Sequence, residues 1–136
     1  MYDKKNITLT LRIDWSELDL FGHVNNVAFM KYVQAARVNY WEQIGLYKLY
    51  SDNKHGPMLA STHCEFKKPL FYPGEVIIHS QMEFIKNSSF GISHLLYNSD
   101  NELAAEAKDV MVMYDFGKGE KMGFPKEIRE LIERLG

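Results

Sequence analysis

The sequence predicts an α+β fold in which one long helix is covered by one antiparallel sheet. Three features point there. A short alternating stretch, Ile7 to Ile13, opens the pattern. An apolar segment of helical period follows between Asn26 and Gly45. Four β-patterned stretches then succeed one another with turns, and no helix, between them. Strands joined directly by turns pair antiparallel.

Taken in order, Ile7-Thr8-Leu9-Thr10-Leu11-Arg12-Ile13 alternates apolar and polar side chains, as a half-buried strand does. Trp15 to Phe21 breaks the alternation, and Gly22 permits a sharp turn. Setting the following residues 100° apart places Phe29, Met30, Val33, Ala36, Tyr40, Trp41 and Ile44 in one arc, with Lys31, Gln34, Asn39 and Glu42 opposite. Tyr32, Ala35 and Val38 widen the apolar surface, so this helix is expected to be wrapped rather than to lie on a surface. Asn25 or Asn26 suits its N-cap and Gly45 its stop. Arg37 falls inside the apolar arc and is expected to be paired, because a guanidinium is rarely buried alone. Tyr47 to Gly56 reads as a polar turn. The strands then run over Met58–Phe66, Glu75–Ile85, Phe90–Tyr97 and Leu103–Phe116, with Gly117 to Lys121 as a loop. Cys64 alternates with Phe66 and is expected to pack in the core. Pro125 to Leu135 closes the chain as a short amphipathic helix with proline in its first turn.

A chain of 136 residues fits one domain, 1–136, and its 46% hydrophobic content supports a packed core. A net charge of −2 gives no field for nucleic acid or an anionic membrane. No apolar run approaches a membrane span. Met1 to Asn6 lacks an apolar h-region and the single Cys64 cannot form an intrachain disulfide, so the cytoplasm is the expected compartment. The histidines His23, His55, His63, His79 and His94 form no ligand spacing, and no metal or cofactor is expected.

The chemistry-bearing stretch is Asp19-Leu20-Phe21-Gly22-His23-Val24-Asn25-Asn26. It sets a carboxylate, an imidazole and two amides immediately ahead of a helix start. Such a start presents unpaired backbone N–H groups and positive partial charge. A carboxylate beside it suits a reaction in which negative charge develops on oxygen. Asp14 and Glu17 are competing acids; Asp14 continues the first strand's alternation, and Glu17 stands outside the Asp–Gly–His cluster.

Arg12 through Asn26, with its Asp-x-x-Gly-His-Val-Asn-Asn core, resembles the opening of hotdog-fold acyl-CoA thioesterases of the 4-hydroxybenzoyl-CoA thioesterase type. Tyr32-Val33-Gln34-Ala35-Ala36-Arg37 is similar to that family's central helix, Phe66-Lys67-Lys68-Pro69-Leu70 with Pro73-Gly74-Glu75 to its second strand and turn, and Pro125-Lys126-Glu127-Ile128 to its ending. The resemblance implies a hotdog fold, a long central helix wrapped by a five-stranded antiparallel sheet. It implies a homodimer with sheets joined edge to edge, often paired again into a homotetramer, with active sites at the dimer interface. It implies Asp19 as the catalytic carboxylate and the Asn26 N–H as the oxyanion donor, with His23 or Asn25 orienting Asp19, water or carbonyl. The nucleotide end of the acyl-CoA substrate is expected near Lys86-Asn87-Ser88-Ser89 or other rim lysines. An acyl-carrier-protein thioesterase is a second possibility, but an acidic carrier would want a continuous basic patch. A non-catalytic acyl-CoA-binding module is a third, since fold alone does not fix function.

Overall fold

The structure, a computed structural model, describes residues 6–135. Met1 to Lys5, on which the expectation of no signal peptide mainly rests, and Gly136 lie outside the described residues. The chain runs β1 (Asn6–Arg12), a 3-10 turn (Trp15–Glu17), α1 (Asn26–Gln43), α2 (Leu46–Asn53), β2 (His55–Phe66), β3 (Glu75–Ile85), β4 (Ser89–Tyr97), β5 (Leu103–Asp115), β6 (Glu120–Lys121) and α3 (Lys126–Leu135). The long strands form one antiparallel sheet in the order β1-β3-β4-β5-β2, with the two-residue β6 paired to the end of β5. Five long strands and a central helix make this a hotdog fold. Among the described residues no helix is long and apolar enough to cross a membrane.

α1 packs along the inner face of the sheet. Its first half buries Ala28, Phe29, Tyr32, Val33 and Ala36 against Val76, Ile78, Leu96 and the small residues Ala104, Ala105 and Ala107. Its second half buries Tyr40 and Ile44 with Met82, Phe90, Ile92, Met111 and Met113, and α3 closes this end with Ile128 and Ile132. Arg37 lies between the two halves. Its Nε and Nη2 donate to the two oxygens of Asp109 on β5, at 2.9 and 3.2 Å. Asp109 also accepts from Thr62 on β2 at 2.7 Å and from His94 Nε2 on β4 at 2.7 Å, while His94 Nδ1 meets Ser80 of β3 at 2.7 Å. The expected pairing of Arg37 is therefore an ion pair from helix to sheet.

Several boundaries differ from the sequence reading. Tyr47 to Gly56 is not a turn: Leu46 to Asn53 is α2, entered through Gly45 at φ +91° and left through Lys54 at φ +61°. β2 begins at His55 rather than Met58, and Glu120–Lys121 pairs with β5 where a loop was expected. Trp41 is only half-buried, and its Nε1 is enclosed without a hydrogen-bond partner among the described residues. Cys64 packs against the α1 cluster but is itself half-buried, because β2 is an edge strand and no element covers its free side.

Removing one member of a buried ion pair leaves the other uncompensated. Asp109→Asn is expected to cost about 3–5 kcal/mol in urea melts, and Tyr40→Ala a similar 3–5 kcal/mol by the cavity it leaves. Burial pushes the Asp109 carboxyl up, but hydrogen bonds from His94, Arg37 and Thr62 outweigh it and hold the pKa at about 2. The depressed value means that the carboxylate's contribution is full above the ordinary Asp range and is lost as pH falls through that range towards 2. The stability gap between wild type and Asp109→Asn should accordingly shrink on acidification from pH 5 towards about 2, measured by melts at each pH.

Candidate active site

The segment from Leu18 to Val24 is a tight loop that closes on itself. Leu18 bridges Val24, and Asp19 N–H donates to His23 O at 2.7 Å. Gly22, at φ +81°, supplies the left-handed step this turn requires. Inside it, Asp19 Oδ1 accepts from the N–H groups of Phe21 at 2.9 Å and His23 at 3.1 Å. The carboxylate is thereby oriented by its own loop, and among the described residues Oδ2 has no hydrogen-bond partner. The loop is anchored to the next segment by Val24 N–H to Leu70 O, by the His23–Phe71 bridge, and by the His23 ring edge-on to Phe71 at 5.1 Å.

α1 begins directly after this loop. Asn25 is its N-cap, with Oδ1 accepting from Ala28 N–H at 2.7 Å. Asn26 is therefore the first helical residue, and helix geometry gives its N–H no intrahelical acceptor. Asp19, His23, Val24, Asn26 and Phe29 line a hollow of about 260 Å³ with Phe66, Lys67, Lys68 and Pro69. Three of the four residues expected at the site thus meet there. Asn25 does not line the hollow; its amide is spent on the helix end, so it positions Asn26 rather than facing a ligand.

The competing acids are committed elsewhere. Asp14 caps the 3-10 turn through Ser16, whose backbone and side-chain hydrogen bonds lower its pKa. Glu17 accepts from Asp14 N–H at 2.9 Å and from the Tyr32 hydroxyl at 2.6 Å. Burial and that bond to Glu17 push the Tyr32 hydroxyl pKa up. The buried Ser80–His94–Asp109 chain has the composition of a nucleophilic triad, yet the side chains of His94 and Asp109 are 0% exposed, so no substrate reaches them.

Lys86-Asn87-Ser88-Ser89 lies away from the hollow within one protomer. Ser89 pairs with Val112 on β5, whereas Phe66 at the hollow pairs with Ala105, so roughly 23 Å of strand separates them. The turn is clasped instead by α3, with Arg129 donating to Ile85 O and Lys86 O. Phe66, Lys67 and Lys68 entered the sequence reading only as a strand-and-turn signature. What brings them to the hollow is the pairing of Lys67 and Lys68 N–H with Ala104 O, which local pattern does not announce. Among the described residues no three metal-ligating side chains are gathered.

Family membership, rather than the loop alone, identifies the class: this is a thioester hydrolase. The model of the thioesterase-like superfamily matches residues 13–132, and the chain belongs to that family. A relative from Aquifex aeolicus is 28% identical over 124 residues, covering 90% of this chain and 94% of the relative. The long-chain acyl-CoA thioesterase FadM of Escherichia coli is 18% identical, with 92% of this chain and 96% of FadM covered. A thioesterase of Thermus thermophilus, solved with coenzyme A and zinc, is 26% identical at a TM-score of 0.81, covering 94% of this chain and 92% of that one.

The N-cap assignment is testable by itself. Asn25→Ala is expected to lose about 1 kcal/mol of stability, and Asn25→Asp to retain most of it, read from thermal melts of the three proteins.

Proposed function

We propose that the protein hydrolyses acyl-CoA thioesters to a free acid and coenzyme A, with Asp19 as the reacting carboxylate and the Asn26 N–H as the oxyanion donor. The observation that carries this is the carboxylate itself: one oxygen is fixed by two backbone N–H groups and the other has no partner among the described residues, in the same hollow as Asn26 at the helix start. Water adds to the thioester carbonyl carbon and gives its proton to Asp19. The oxyanion formed is met by the Asn26 N–H and the positive end of α1. The carbon–sulfur bond then breaks, and the proton on Asp19 neutralises the departing thiolate. In the alternative route Asp19 attacks the carbonyl itself, the carbon–sulfur bond breaks to expel the CoA thiolate, and water then cleaves the resulting anhydride to the free acid and the Asp19 carboxylate, its released proton neutralising the thiolate. His23 holds Asp19 through its backbone N–H and is among the residues that line the hollow.

Membership of the thioesterase-like superfamily and the coenzyme A in the Thermus thermophilus structure favour a CoA ester. Lys67 is paired with Glu65 and Glu106, and Lys68 with Glu102, so the rim offers no free basic patch to an acidic carrier protein. The active unit is proposed to be a homodimer joined along β2, or two such dimers in a tetramer. β2 is a 12-residue edge strand with Met58, Leu59 and Phe66 exposed, beside Val27 and Val38 on the open flank of α1. Unpaired edges of this kind are covered in native assemblies. An antiparallel second copy brings its own Lys86-Asn87-Ser88-Ser89 to the same end as the first copy's hollow, and Lys86 has no carboxylate partner among the described residues to compete with a CoA phosphate.

Asp19→Asn is expected to keep fold and assembly but lower hydrolysis of the preferred acyl-CoA by about 10²–10⁴, whereas Glu17→Gln and Asp14→Asn cost far less. Thiol release across a panel of acyl-CoA and aryl-CoA esters reads both points, and near-normal turnover by Asp19→Asn refutes the assignment. Recovery of ¹⁸O in Asp19 after turnover in labelled water marks the anhydride route. Asn26→Pro removes the proposed donor at a position where proline suits a helix, and Asn25 is already extended at ψ 160° as a residue before proline must be. It is expected to lower turnover by about 10²–10³ with unchanged helix content by circular dichroism.

A further inference from the structure

The Asp19 loop is a hairpin with two short arms. Asn25 N–H donates to Glu17 O at 2.9 Å, Leu18 bridges Val24, and Asp19 N–H donates to His23 O at 2.7 Å. The arm from Glu17 to Asp19 carries the carboxylate. The arm from His23 to Asn25 runs straight into α1, so the Asn26 N–H stands at its end. The hydrolysis proposed above needs both groups on one thioester carbonyl at the same moment. Reacting atoms must lie about 3–3.5 Å apart, and a displacement of about 1 Å can cost 10²-fold in rate. The carboxylate arm therefore has to be held in register with the helix.

The other anchors of the hairpin do not supply this. Val24 N–H to Leu70 O and the His23–Phe71 bridge lead to the segment after β2, not to α1. Among the described residues, the polar contacts from the Asp19 arm to α1 and its cap all end on Glu17. Its carbonyl takes the Asn25 N–H. Its Oε1 takes the Tyr32 hydroxyl at 2.6 Å and the Asp14 N–H at 2.9 Å. Its Oε2 lies 3.8 Å from Lys31 Nζ. The Glu17 side chain is 14% exposed and Tyr32 3%, so the bond between them is sheltered from water. Hydrogen bonds to a carboxylate are among the strong ones. The Tyr32 ring is packed in the core with Phe29 and Ala36, which leaves its hydroxyl one direction to point. Tyr32 lies about 9 Å along the helix from Asn26. The carboxylate arm thus grips α1 at two places, the cap and Tyr32. A single hold would let the hairpin pivot; two fix its distance and its angle.

Resting on the roles proposed for Asp19 and Asn26, we infer that Glu17 and Tyr32 are positioning residues for the hydrolysis: the bond between their side chains keeps the Asn26 N–H in register with the Asp19 carboxylate. Neither side chain touches the thioester. Glu17 works through an accepting oxygen, which glutamine also has, and Tyr32 works through its hydroxyl rather than its ring. The oxyanion exists only once the carbonyl is attacked, so a misplaced donor weakens the transition state and leaves substrate binding alone.

The test is a double-mutant cycle. Tyr32→Phe removes the hydroxyl and keeps the ring; Glu17→Ala removes the acceptor from a 3-10 turn that contributes no buried residue. Each is expected to lower kcat by up to about 10²-fold. Affinity for a non-hydrolysable thioether analogue of the preferred acyl-CoA, read by calorimetry, should stay near that of wild type. Glu17→Gln should retain most of the turnover. In an Asn26→Pro background the donor is already gone, and adding Tyr32→Phe should then cost almost nothing further, because changes that act through one group are not additive. Assays are run below the melting point of every variant, and Glu17→Ala carries the same cycle if Tyr32→Phe folds poorly. Three results overturn the inference: wild-type turnover in both Tyr32→Phe and Glu17→Ala, a loss confined to KM, or a loss that adds in full to that of Asn26→Pro. If Asn26→Pro alone turns over normally, the donor assignment itself fails and the positioning role falls with it. A slow Asn26→Pro beside a fast Tyr32→Phe and Glu17→Ala removes only the positioning role.

Discussion

The contact between Arg37 and Asp109 fixes how the helix sits on the sheet. It is the centre of a polar layer one residue thick that divides the core. On β3 the inward residues read Ile78, Ser80, Met82; on β4, Ile92, His94, Leu96; on β5, Ala107, Asp109, Met111. Ser80, His94 and Asp109 form one plane across three strands, and Thr62 extends it to the edge strand. Apolar packing alone would let α1 slide or rotate at small cost, since hydrophobic attraction has no direction. A forked guanidinium on a buried carboxylate permits one register, because any displacement strands a charge. The two ring nitrogens of His94 meet Asp109 and the Ser80 hydroxyl, each at 2.7 Å, so every member of the layer has a partner.

With α1 locked in that register, both of its ends are placed. The N-terminus adjoins the Asp19 loop, where Asn25 caps the helix and Asn26 is its first residue. The C-terminus turns through Gly45 into α2 and builds a second, aromatic hollow with Trp41, Tyr47, Tyr50 and Phe116. Small alanines on β5 under Phe29 and Tyr32 bring the first half of the helix close to the sheet, while bulky methionines and Phe90 support the second half. The helix is thus a rigid ruler between two surface hollows, and the ruler has a single setting.

The sequence reveals what depends on period and on local turn chemistry. The 3.6-residue period of α1, the alternation of β1 and the turns between the later strands all lie within windows of ten to twenty residues. Asp19, Gly22, His23 and Asn26 are legible as a site for the same reason: they occupy one loop and its helix start. Long-range pairing is not legible. Arg37 announces a need for a partner but not that Asp109, 72 positions on, satisfies it. Phe66 and Lys67 show strand and turn character without showing that Ala104 carries them to Asp19. α2 is hidden because Leu46-Tyr47-Lys48-Leu49-Tyr50-Ser51-Asp52-Asn53 is short and polar at its end, and its start depends on the positive φ of Gly45. The exposure of β2 is hidden because alternation describes a strand's two faces and says nothing of which strand stands last in the sheet.

The position of β2 in the sheet also shapes how the chain is made. β2 ends at Phe66, but its one strand neighbour among the described residues, β5, does not begin until Leu103. During synthesis β3 and β4 are complete, and can form their hairpin, while β2 is still an unpaired strand rich in Met58, Leu59 and Phe66. Contacts of such sequence separation form late, after the loop-closure entropy has been overcome. For that interval the strand is open on both sides to any other nascent copy of itself, and in the wrong register it would seed aggregation rather than a dimer. Thr62 is the residue on β2 that reaches the buried carboxylate of β5, so correct docking is recognised by a hydrogen bond that a slipped strand cannot make. The polar layer of the core thus favours one register of β2 on β5 over its slipped alternatives.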